Sequence, residues 1–347
     1  MPKPRITYID TLKGVCIILV VLMHCGLPVN DNSVTQHIND ALRTYRMPTY
    51  YFLSGIFFKT YSGFIEFAIR KLNNIIIPLL FFYGLNVMAC IIYWICTGIV
   101  TGFSSNFEWN AIFDIFYRNN WRLQAVVPLW FLFSLFWANL IFYFIKSKFR
   151  GFVVCAIVLI MAIVGFLLGL QKVNLPWYLI SSLIGLPYFV LGHYIKQNGW
   201  LQCSIIRWLG FLQFVVIAVV VIFVARDYNT ASSVDEFLLY RYLIPFVSVL
   251  SLFWFCKSIS QRVPVVTFIG RYSLIVLGTH MFLISHLYLI PMKLLGDDNK
   301  WLWRICLFVF VITLELIIIP FMRDKFPRFT AQKSFFNPSW RFSSRKE

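Results

Sequence analysis

The sequence predicts an all-α fold: a polytopic integral membrane protein of about ten transmembrane helices. Three observations carry this. Of 347 residues, 60% are hydrophobic and 19% aromatic, with a mean hydropathy of +0.75, too apolar for a soluble domain that must cover its surface with polar groups. The apolar runs are each about 20 residues long, the length a helix needs to cross the hydrocarbon core. Short charged links separate them, and runs of this kind satisfy their backbone within one helix.

The first span, 8–27, holds Asp10, Lys13 and His24. On a helix Lys13 and His24 share a face about 16 Å apart along the axis, with Asp10 about 40° off that face. The run has charges at its start and no small-residue cleavage site after it, so it is expected to stay in the mature chain. The other spans fall at 44–61, 75–98, 126–145, 152–170, 176–195, 205–225, 238–257, 268–289 and 301–322. The second is short and carries Pro48 and Gly55; the ninth carries His280 and the tenth Glu315. The outer link 103–125 is rich in Trp and Phe and reads as a re-entrant or interfacial segment. One membrane domain, 1–322, is therefore expected, followed by a basic cytoplasmic tail, 323–347.

The formal net charge is +17. Lys and Arg gather on alternate links, among them Lys59, Arg70, Lys71, Lys146, Lys148, Arg150, Lys257, Arg262 and Arg271. That asymmetry places both termini in the cytoplasm and His24 toward the outer face, in a cell membrane. It names membrane lipid as the partner of the positive charge, not nucleic acid. The eight cysteines lie mostly inside apolar runs with no CxxC pair, so neither a metal site nor a disulfide framework is expected.

His24 is the first candidate for chemistry. An imidazole of near-neutral pKa can take a proton from a hydroxyl and return it to a leaving group inside a membrane. The bland alternative is a histidine wetted at a helix end, with Asp10 capping the helix and Lys13 snorkelling to the cytoplasm. Ser54-Gly55 thins the second span and suits close helix packing. Arg70 and Lys71, at a cytoplasmic helix entrance, could hold phosphates or merely set topology. His280 and Glu315 are ionisable groups at mid-span, candidates for a pore, a relay or a structural pair. HExxH, Gly-rich phosphate loops and dinucleotide fingerprints are absent.

Taken in order, IDTLKGVCIILVVLMH, MPTYYFLSGIFF, the basic pair before Pro78, LWFLFSLF, YFVLGHYI and GRYSLIVLGTH resemble the membrane-bound acyltransferase-3 family. The wording of the first span is most similar to its fucose 4-O-acetylase-like branch. The resemblance implies transfer of an acetyl or other short acyl group from cytoplasmic acyl-CoA, acetyl-CoA above all, as donor substrate with no bound cofactor. The implied acceptor is a sugar hydroxyl of a cell-surface polysaccharide or its lipid-linked precursor, in a bacterial inner membrane. By resemblance His24 is the essential histidine, acting as general base or acyl acceptor. Asp10 and Lys13 are its upstream acid and base, Arg70 and Lys71 the basic cytoplasmic segment, and Ser54-Gly55 the second-span pair. Lysine at position 13, where the family often has arginine, loses bidentate phosphate recognition. The rival class is a multi-span transporter or flippase for a glycan precursor or small solute, suited by mid-membrane His280 and Glu315 but lacking a visible repeat. Oligomeric state has no signature in the sequence.

Overall fold

The computed structural model describes residues 6–29, 33–97, 124–202, 207–224, 238–296 and 298–337; the link 103–125 lies almost wholly outside them. No strand occurs among the described residues. Thirteen α-helices are described: α1 Thr7–His24, α2 Ser33–Ile56, α3 Phe64–Lys71, α4 Ile77–Thr97, α5 Trp130–Lys148, α6 Phe152–Leu170 and α7 Leu179–Gln197. They continue as α8 Arg207–Val224, α9 Leu238–Ile259, α10 Pro264–Arg271, α11 Ser273–Leu287, α12 Leu289–Leu295 and α13 Lys300–Lys325. A π-helical turn, Leu72–Ile76, joins α3 to α4.

Among the described residues seven helices are long and apolar enough to cross a membrane, or eight if α10 and α11 count as one span. Two features of these residues bear on the expected ten. First, α2 is a 24-residue helix with Asp40, Thr44, Arg46 and Thr49 buried against neighbouring helices. Its polarity suits protein, not lipid. Second, the run 268–289 is no single helix: the chain bends by 88° between α10 and α11, where Tyr272 leaves helical geometry at φ −115° and ψ 24°.

Packing follows from this. One core gathers where α1, α4, α11 and α13 meet, a second between α5, α6 and α7, and a third between α1, α2 and α9. Apolar residues also face outward, such as Phe152 and Ile160 on α6 and Ile317 and Phe321 on α13. In a bilayer these meet a solvent as apolar as themselves. Past Met322, α13 continues to Lys325, and the chain then turns back along α4. Phe329 stacks on Phe81 with ring centroids 5.0 Å apart. The Asn73 side chain, on the π-turn, donates to the Phe336 carbonyl at 2.8 Å and accepts from the Phe335 and Phe336 amides at 3.0 and 2.8 Å.

Candidate functional site

The site is built on α1. Its N-terminal half is set by glycine. A Cβ on Gly270 of α10 would fall 1.8 Å from the Asp10 carbonyl oxygen, and one on Gly14 would fall 2.0 Å from the Val266 carbonyl oxygen. Only hydrogen fits at either place, so α1 and α10 touch backbone to backbone. The Thr11 and Thr267 hydroxyls, 2.8 Å apart, fix the register. With α10 clamped there, the bend at Tyr272 carries α11 across the C-terminal half of α1.

The C-terminal end of α1 is fixed just beyond His24. The Gly26 amide donates to the Met23 carbonyl at 2.8 Å and the Leu27 amide to the Leu22 carbonyl at 3.1 Å, with Gly26 at φ +78°. This is a Schellman termination, which needs a left-handed residue after the cap. Arg304 of α13 donates to the Gly26 carbonyl at 2.9 Å, tying the turn down.

His24 then faces His280 of α11, the ring centroids 5.3 Å apart and the planes at 49°. His280 is fully buried. Its Nδ1 lies 2.6 Å from the Val276 carbonyl oxygen, and a carbonyl only accepts, so Nδ1 carries the hydrogen. The lone pair is then on Nε2, which has no hydrogen-bond partner among the described residues. One residue earlier, the Thr279 hydroxyl donates to Glu315 Oε1 of α13 at 2.7 Å, while Glu315 Oε2, also buried, has none among them. Glu315 thus binds Thr279 and not His280. The Asn86 amide of α4 donates to the Gly278 carbonyl at 2.9 Å and holds α11 in place.

At the N-terminal end of α1, a cavity of about 380 Å³ opens beside Asp10, lined also by Thr7, Ser260, Gln261, Thr267 and Arg271. Asp10 does not cap the helix; the cap position is Ile6, with no side-chain cap bond. Lys13 sits one turn on, its Nζ 5.3 Å from the Phe57 ring centroid. Arg70 and Lys71 have local partners. Arg70 pairs with Glu66 at 2.7 Å and covers the Tyr61 ring at 4.5 Å, and Lys71 lies 5.3 Å from the Phe67 ring centroid. Ser54 accepts from Asn139 of α5 at 3.1 Å. Gly55 meets α7, where a Cβ would fall 1.9 Å from the Phe189 carbonyl oxygen.

The structure therefore joins His24, His280, Thr279 and Glu315 at one level and Asp10 with Arg271 at another. Two residues escaped the sequence reading. Arg271 was counted only toward topology. The other is Arg46, 4% exposed on α2; an arginine inside an apolar run was the signal, the same one that marks His280 and Glu315. Among the described residues no three His, Cys, Asp or Glu side chains gather closely enough to hold a metal ion.

Comparison with curated proteins and with solved structures matches nothing. The family model described as an acyltransferase domain matches residues 6–319, which takes in α1, the paired histidines and Glu315. The chain is an integral membrane acyltransferase and belongs to the acyltransferase-3 family.

Proposed function

We propose that the chain is an O-acyltransferase that moves an acetyl group from cytoplasmic acetyl-CoA to a sugar hydroxyl of a cell-surface polysaccharide or its lipid-linked precursor. The observation that carries this reading is the pair of imidazoles, His24 against His280 at 5.3 Å, in a chain of this family. Both termini lie in the cytoplasm of a bacterial inner membrane, and His24 lies toward the outer face, as the distribution of Lys and Arg favours.

In this reading the Asp10–Arg271 cavity receives the polar head of the donor. Fourteen residues of helix separate Asp10 from His24, about 21 Å of rise, a span suited to the extended pantetheine arm. His24 acts as general base on the acceptor hydroxyl, or takes the acetyl group on its ring before passing it on. The hydroxyl oxygen forms the new ester bond, the thioester C–S bond breaks, and the hydroxyl proton ends on the CoA sulfur. His280, its ring 5.3 Å from that of His24, can hold the proton or fix the His24 ring.

Membranes carrying the protein, supplied with labelled acetyl-CoA, test this. The expected result is label in surface glycan with wild type and none with His24→Ala at equal protein level and equal melting temperature. Glycan labelled equally by His24→Ala would overturn the assignment. Counterflow of a glycan precursor without label transfer would favour the transporter reading.

A further inference from the structure

We infer that Trp177, stacked on Phe133 and Trp137 where α5 and α7 come together, is the platform against which a pyranose ring of the acceptor glycan lies. The inference rests on the acyl-transfer reading above and names a binding residue for its acceptor. Its observations are separate, because nothing in that reading uses α5 or α7.

Just ahead of α7, Trp177 and Tyr178 both stand in left-handed backbone, at φ +57° and +54°. For bulky side chains that conformation is an outlier, and it persists only where the surroundings impose it. Here they do. The Ser182 hydroxyl lies 3.1 Å from the Tyr178 carbonyl oxygen and 2.9 Å from that of Ser134 on α5. Behind them, the Tyr51 hydroxyl of α2 lies 2.5 Å from the Ser134 hydroxyl and donates to the Ser181 carbonyl at 3.2 Å. The result is a set of fixed rings. Trp177 lies nearly parallel to Phe133 and Trp137, at 7° and 20°, with centroids 6.2 and 6.0 Å away, and Tyr178 leans on Trp130 at 5.3 Å. Trp177 keeps 37% of its surface exposed. The Trp137 indole N–H is buried and has no acceptor among the described residues. The cluster also adjoins the paired histidines. Trp130 follows directly on the turn Gln124–Leu129, which packs on α11, the helix of His280. Trp130 and Tyr178 pack against the core that holds Val21 and Cys25, residues flanking His24.

Tryptophan near a membrane surface ordinarily serves as an anchor. An anchor needs an indole at the headgroup level and gains nothing from two strained residues or from parallel stacking on further rings. Strain of this kind gathers where a ligand is held. A flat, rigid aromatic surface suits a pyranose, whose ring presents C–H groups on its faces and hydroxyls around its edge. The aromatic face is negative and attracts the slightly positive C–H groups. The edge hydroxyls need hydrogen-bond partners, and an indole N–H supplies a donor. Because the rings are already stacked, little side-chain freedom is lost when the sugar arrives. A sugar seated beside α11 leaves its edge hydroxyls for the histidines to work on.

Trp177→Ala, Trp177→Leu and Trp177→Phe in the full-length protein test the inference. They are assayed in membranes with labelled acetyl-CoA, and the added acceptor is surface glycan from cells that carry the protein, stripped of O-acetyl esters by mild base. Trp177→Ala and Trp177→Leu are expected to raise KM for that glycan about tenfold, with KM for acetyl-CoA within about twofold. Trp177→Phe keeps an aromatic face and should stay within about threefold of wild type. A wild-type KM for the glycan in folded Trp177→Ala overturns the inference; joined to a lowered melting temperature, it marks a stack that another part of the chain covers. Trp177→Leu matching Trp177→Phe also overturns it, since leucine serves a lipid anchor but offers no aromatic face. So does a rise in KM shared equally by acetyl-CoA. Should Trp177→Ala fail to fold by its melting temperature, the comparison of leucine with phenylalanine decides alone. Failure of the wild type itself to label glycan would instead refute the acyl-transfer reading.

Discussion

Two polar regions of this protein look alike in the sequence and differ in the fold. Arg70 and Lys71 cluster near one end of the apolar run that becomes α4, and His280 with Glu315 sit in the middle of others. At the first region the charges are satisfied nearby. Arg70 has Glu66 and Tyr61, and Glu66 also accepts from the Ser62 hydroxyl at 2.5 Å. At the second, His280 Nε2 and Glu315 Oε2 are buried and have no partner among the described residues. Native proteins satisfy nearly all buried polar atoms, so an open polar atom on His280, whose ring faces that of His24, fits the proposal that a substrate group binds there. A cation already paired at the surface marks structure.

The largest effect should come from breaking the open cluster. His280→Ala is expected to lower the rate of label transfer by on the order of 10²–10⁴-fold, the range of an acid–base group, at an unchanged melting temperature. Next comes the clamp that aligns the two histidines. Gly270→Leu must push α10 off the Asp10 carbonyl and should destabilise by roughly 1–3 kcal/mol, read as a lower melting temperature together with lost transfer. Altering the cavity beside Asp10 should act on binding alone. Arg271→Gln is expected to raise KM for acetyl-CoA about tenfold, roughly 1.4 kcal/mol, with kcat within about twofold, as initial rates over a donor series would record. The smallest effect belongs to the satisfied region. Arg70→Gln removes a solvent-screened pair with Glu66, an interaction of small worth, so transfer rate and melting temperature should both stay near wild type.

Much of the fold was legible because lipid imposes a length. A run such as Phe152–Leu170 spans the same residues in the sequence and the structure, since its ends are set by where apolar residues stop. What escaped was set by neighbours instead. The polar residues of α2 look foreign to a span until α1, α7 and α9 surround them, and the bend at Tyr272 has no proline to announce it. It follows from α10 lying against Gly14, a contact between residues far apart in the chain. His24 and His280 could each be named as ionisable groups in apolar runs, but their meeting depends on that same clamp. Arg46 and Arg271 were hidden by a competing explanation, because counting arginines for topology gives each one a purpose before its surroundings are known.

The central claim, that His24 and His280 form one site, is tested most directly by a double-mutant cycle on label transfer from acetyl-CoA to glycan, using His24→Ala, His280→Ala and the pair. Residues that act as a unit lose their effect together, so the account expects the double variant to be no slower than the slower single variant, with all three proteins folded. Losses that multiply across the two positions, or a His280→Ala protein with the wild-type rate, would contradict it.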